Sequence, residues 1–79
     1  MDLATKAARV RSFLQDDVFK DLISKQKQDQ IDIFLNPASS LDQIDEARRQ
    51  VRAIEDLIRG MRSVLTDAQI VERKTKKRG

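Results

Sequence analysis

The carboxylates of this 79-residue chain come in helical pairs, Asp29 with Asp32 and Asp42 with Asp45 and Glu46, at the three- and four-residue spacings that share one helix face. Such pairs hold Mg²⁺ or Ca²⁺ when a loop wraps the ion, but no Gly-bearing loop of the EF-hand type accompanies them. For Asp42, Asp45 and Glu46 the simpler role is to complement the positive end of a helix dipole. Serines at 12, 24, 39, 40 and 63 could attack an electrophile only with a base beside them, and the chain contains no His and no Cys. Ser39 and Ser40 read better as helix-start residues. With no imidazole, no thiolate and no Gly-rich phosphate loop, the expectation is a protein that is not an enzyme and needs no cofactor, with no catalytic or metal-binding residue to assign.

The cations offer binding rather than catalysis. Arg73, Lys74, Lys76, Lys77 and Arg78 close the chain with five positive charges and no acid, whereas residues 1–72 hold eleven bases and thirteen acids. A pI near 9.6 therefore describes a basic end on a slightly acidic body, not a generally basic molecule. That end suits nucleic acid or an acidic partner, and five neutralised phosphates on duplex DNA would give a log–log salt slope of about −4.5. No aromatic is interleaved to stack on bases, which argues against sequence-specific single-strand reading. A solubilising terminus that complements a helix C-terminus is the competing account. Arg48, Arg52, Arg59 and Arg62 form a second basic stripe, within about 80° of one another at about 100° per residue. Glu55 and Asp56 interrupt it, and the pairs Glu55–Arg59 and Arg52–Asp56 would make it a salt-bridged, solvated flank.

The elements that must position these groups are helices. Two Gly and one Pro punctuate the chain, no period-2 run of useful length appears, and no Asn-Gly or Asp-Gly turn is present. Leu3, Ala7, Val10 and Leu14 predict a short amphipathic helix over residues 3–14. Asp16 and Asp17 supply a cap and a first-turn carboxylate for a second helix, over residues 17–35, with apolar ends (Val18, Phe19, Leu22, Ile23; Ile31, Ile33, Phe34, Leu35). Its polar middle, residues 25–30, is expected to stay helical but to leave the core for a turn or two. Asn36-Pro37 stops it, since the residue before a proline is pushed out of the α region.

Ser40 and Gln43 match a capping box that opens the third helix. Ile44, Ala47, Val51, Ile54, Ile58, Met61, Leu65 and Ala68 then follow at spacings 3, 4, 3, 4, 3, 4, 3, a heptad seam about 40 Å long. Leu57, Val64 and Val71 widen one flank, which predicts more than one helix packed against this face. Thr66 to Gln69 repeats the capping-box pattern, so a fresh helix could start there, although the seam runs through Thr66 in register. Gly60 stands one heptad from Ala53; the pair is either a spot for close backbone approach or an ordinary surface glycine with its alanine. Phe13, Phe19 and Phe34, the only aromatics, are expected as core or interface anchors.

The predicted fold is all-α: an antiparallel helical hairpin with a long heptad-patterned third helix over residues 40–71 and a short N-terminal helix folded on it or free for a partner. Residues 1–72 would be a single domain and 73–79 a basic tail. A core of this size supplies only about 3–5 kcal/mol net, so a second copy or a partner is expected to cover apolar surface. No stretch approaches the length of a membrane span, and the chain reads as intracellular.

The run Leu14-Gln15-Asp16-Asp17-Val18-Phe19-Lys20-Asp21-Leu22, the Asn-Pro-Ala-Ser-Ser turn, and Ile44 to Arg49 leading into Ile54 to Ile58 resemble small helical-hairpin proteins of tailed bacteriophages, found among virion-morphogenesis genes. The resemblance spans residues 14–65 and is one of pattern, with no invariant motif. It implies a virion-associated or assembly role, in the host cytoplasm or the particle, with no enzymatic activity, and it assigns no residue a function. On either ground the expected partner is the chain itself or a larger protein assembly met through the seam. Nonspecific nucleic acid would be met through the tail, with no membrane and no small-molecule substrate.

Overall fold

A computed structural model describes the backbone of residues 1–78 and the side chains of residues 1–74. Three helices account for nearly all of it: α1 (Leu3–Gln15), α2 (Asp17–Leu35) and α3 (Leu41–Arg78). Each junction is built by local hydrogen bonds. The Asp2 carboxylate caps α1 by accepting from the Thr5 N–H at 2.7 Å. Asp16 alone separates α1 from α2. Its extended backbone (φ −72°, ψ 123°) ends one helix, its N–H donates to the Phe13 carbonyl, and its carboxylate accepts from the Phe19 N–H at 2.9 Å to start the next.

At the far end of α2, Asn36 is held extended (φ −81°, ψ 115°) ahead of Pro37, and its side chain accepts from the Ala38 N–H at 2.9 Å. The Ser39 hydroxyl donates to the Ile33 carbonyl at 2.8 Å, so Ser39 closes α2 rather than opening α3. The capping box at Ser40 forms in full. The Gln43 N–H donates to the Ser40 hydroxyl at 3.1 Å, and the Ser40 N–H donates to the Gln43 side chain at 2.7 Å.

Beyond that cap α3 runs without a break. The Thr66 hydroxyl turns back to the Arg62 carbonyl at 3.2 Å, one turn earlier in the same helix, instead of capping a new one. The helix also passes the expected end near residue 71 and continues through Arg78. Residues 72–78 contain neither Gly nor Pro, and cations suit the negative end of a helix dipole.

The packing is that of a long hairpin whose first arm is jointed. The five-residue connection between α2 and α3 turns them antiparallel. Leu14, Phe19 and Ile23 lie with Ile58 and Arg62, while Leu3, Ala4 and Ala7 lie with Ala68, Gln69 and Glu72. So α2 lines the first half of α3, and α1 takes over along the second half. The overall extents are 62 × 22 × 19 Å, and the radius of gyration is 17.5 Å, against about 12 Å for a compact domain of this length. Among the described residues, only Ala7 (3% exposed) and Ala47 (1%) are buried. One lies on each arm, where a small side chain lets the helices approach closely.

The polar middle of α2 does not leave α3, contrary to expectation. Lys27 and Gln30 occupy the inward register between Ile23 and Ile33 and are half-buried. Antiparallel pairing with an unbroken α3 leaves no room for α2 to depart and return within two turns, so the long polar stems lie along the seam.

Candidate functional site

All eight seam residues face the first arm: Ala47 is buried, and Ile44, Val51, Ile54, Ile58, Met61, Leu65 and Ala68 are half-buried. Their first use is to hold the hairpin together. The widened face does meet two helices, but one after the other along its length. At any level only one helix covers it, so the seam's two edges are left to solvent.

One edge is basic. Lys20, Ser24 and Lys27 of α2 border a shallow hollow with Ile58 and Arg62 of α3, and Lys27 also borders Glu55 and Arg59. Arg48 and Arg52 continue this side toward the turn by helical period. The stripe's salt bridges differ from those expected. Arg59 pairs with Asp56 at 2.8 Å rather than with Glu55, and Arg49, outside the stripe, pairs with Glu46 at 2.9 Å. Among the described residues Arg48, Arg52, Arg62, Lys20 and Lys27 form no ion pair. Four of the edge's cations come from two helices, and Lys20 and Lys27 are the ones that sequence reasoning missed. Only the inter-helix register brings them beside Arg59 and Arg62.

The opposite edge is apolar. Val18 and Leu22 of α2 and Leu57 of α3 are more than half exposed; Val64 is half-buried, and Ala53 and Gly60, both exposed, lie by helical period on the outer side of Leu57 and Val64. A Cβ built on Gly60 would meet nothing within 4 Å. The phenylalanines divide. Phe19 is half-buried and sits 5.8 Å from Phe13 across the Asp16 joint, while Phe13 and Phe34 remain exposed.

The carboxylate pairs do not converge. Asp29 turns to Lys25 at 3.5 Å, Asp32 accepts from Gln28 at 2.9 Å, and Glu46 accepts from Gln50 and Arg49. Among the described residues no cluster of three or more acidic, His or Cys side chains is arranged to hold a metal ion. The hydrogen bond from Gln50, with Arg49 beside it, lowers the Glu46 pKa, and the Thr5 N–H does the same for Asp2. Both are exposed capping or surface groups, not poised acids.

Of the basic end, Arg73 and Lys74 are exposed, the last residues of α3 whose side chains are described. The side chains of Lys76, Lys77 and Arg78, assigned to polyanion contact on sequence, lie outside the described residues, as does Gly79. Among the described residues no helix is long and apolar enough to cross a membrane. No protein-family model, curated protein or solved structure matches the chain.

Proposed function

We propose that the chain is a non-enzymatic helical assembly protein, an elongated hairpin that associates with itself or embeds in a larger protein assembly. The observation behind this reading is the near-absence of an interior. Among the described residues two alanines are buried, while eleven large apolar side chains, Leu22 and Leu57 among them, stay exposed. In this reading the assembly is that of a tailed-phage particle, a step that leans only on the hairpin pattern shared with phage morphogenesis proteins. Light scattering on the eluted full chain is the test, with binding of a dye that reports exposed apolar surface as its companion. A mass above one chain, or strong dye binding by the lone chain, supports the proposal. A well-folded monomer that binds no dye removes it.

A second reading, a small nucleic-acid-binding regulator, draws on the basic edge. Lys20, Lys27, Arg59 and Arg62 could follow a phosphate backbone along the hollow, with the C-terminal cations extending the track. Titration of short duplex DNA at two salt concentrations, against the full chain and residues 1–72, measures both contributions. Binding that weakens steeply with salt supports this reading, and no binding at low salt eliminates it.

A further inference from the structure

We infer that the turn end of the hairpin docks onto the C-terminal part of α3 of a second copy of this chain, apolar against apolar and acid against base. This rests on the assembly reading and deepens it by naming the partner and both surfaces. At the turn end a group of large apolar side chains is left bare: Leu41 is 81% exposed, Leu35 74%, Ile31 41% and Phe34 38%. By helical period Ile31 and Phe34 follow Lys27 along one side of α2, and Leu41 precedes Arg48 by two turns along one side of α3. Those two sides border the same edge, so Ile31, Phe34 and Leu41 lie together where that edge reaches the turn.

The rim of this patch says what covers it. From Gln28 to Ala47 the chain holds Asp29, Asp32, Asp42, Asp45 and Glu46 and not one Lys or Arg. Lys25 and Arg49, just outside that stretch, pair with Asp29 and Glu46, and among the described residues Asp32, Asp42 and Asp45 form no ion pair. Apolar surface rimmed by unneutralised carboxylates fits a partner that is apolar and cationic, and it repels an acidic one. The chain itself carries that complement. Ile70 is 45% exposed and shares a face of α3 with Arg73 and Lys74, both exposed, at three- and four-residue spacing. Residues 73–78 hold five cations and no acid, and the nearest acid on that face is Asp67, a turn before Ile70.

No single chain can join its own two surfaces. The carboxylates stand where α3 opens and the cations where it ends, 38 residues later, which is about 55 Å at about 1.5 Å per residue. A second copy supplies what distance denies the first, and every copy offers both surfaces. The contact is between unlike patches, so two chains laid antiparallel use both, and chains met in line pass the contact on.

Light scattering on the full chain tests this at two salt concentrations. The mass should exceed 9.1 kDa at low salt and fall toward it at about 1 M salt, where the screening length is about 3 Å. Asp32→Asn with Asp45→Asn removes two carboxylates and spares every cap; Arg73→Gln with Lys74→Gln removes two cations. Each double variant should keep its helical circular dichroism and need about tenfold more protein to associate. Leu41→Ser should act in the same direction by about tenfold or more. Mixed one to one, the two double variants should associate better than either alone, because the first retains the basic face and the second the acidic turn. If one double variant associates as the wild type does, the pairing of unlike surfaces is overturned. A wild type that associates equally at both salts and in both double variants uses another surface, which overturns this inference and spares the assembly reading. A monomeric wild type overturns it too, and if that monomer binds no dye the assembly reading falls with it.

Discussion

The two edges of the hairpin are made from the same two helices, yet one is cationic and the other apolar. On α2 the difference is a matter of a few positions: Lys20 and Lys27 look one way, and Val18 and Leu22 the other. On α3 it separates Arg59 and Arg62 from Leu57 and Gly60 by less than half a turn of the helix. A seam only one side chain deep cannot hide its flanks, so whatever lies beside it becomes surface chemistry. Two-helix packing therefore presents two unlike edges where a thicker bundle would bury both.

The strongest way to break the comparison is to remove the seam that separates the edges. Val51→Asp places a charge on the inward face. A cost of about 3 kcal/mol is comparable to the net stability of a core this small, so loss of most of the helical circular dichroism signal is expected, with both edges lost together. Retained helicity and an unchanged melting temperature would mean that the seam is not what holds the arms.

Charge reversal at Lys27 and Arg62 should act on one edge alone. The double variant Lys27→Glu, Arg62→Glu is expected to reduce low-salt duplex affinity by more than tenfold and to shallow the log–log salt slope by about 2. Its mass by light scattering should not change. A change in mass would show that the basic edge also carries protein contacts.

The joint at Asp16 aligns the two edges along the whole first arm. Asp16→Ala removes the acceptor for the Phe19 N–H and should cost about 1 kcal/mol, read as a lower urea midpoint. Ser40→Ala, which breaks the capping box at the other end, should cost a similar amount. If Asp16→Ala costs nothing, the joint is held by the Phe13–Phe19 contact instead.

The smallest effect is that of acid. The pKa values of Asp2 and Glu46 are lowered in the folded chain, by the Thr5 N–H and by Gln50 with Arg49 respectively. Each therefore stabilises the fold above its unfolded pKa, and that contribution fades as pH falls through the folded value, below about pH 4. The melting temperature should be flat from neutral pH to about 5 and decline slightly below it. Asp2→Asn and Glu46→Gln together should flatten that decline.

Much of the fold was legible because its signals are local. The Asp16 cap, the Asn36-Pro37 stop, the Ser40–Gln43 box and the eight-residue seam each depend on residues within a turn or two of one another. At Thr66 the local capping pattern left a break open, and the uninterrupted seam on both sides, which favours continuation, is what the structure follows. Locality misled at residues 25–30, since polarity alone does not say that Lys27 and Gln30 will lie inward against α3. Asp2, which caps α1 from the position just before it, is a local signal that the sequence reading left unassigned.

Sequence by itself determined which segments are helical, where α2 starts and stops, where α3 begins, and which stripe of α3 is apolar, because backbone capping and a 3.6-residue period are written in neighbouring residues; it did not place the end of α3, which runs past residue 71. Tertiary structure decided that α1 succeeds α2 along α3 rather than pairing with it, that Lys20 and Lys27 join Arg59 and Arg62, and that Val18 and Leu22 share an edge with Leu57 and Gly60. Those facts depend on the register between helices far apart in the chain, which follows from how the side chains of both arms pack against one another, and no local pattern encodes it.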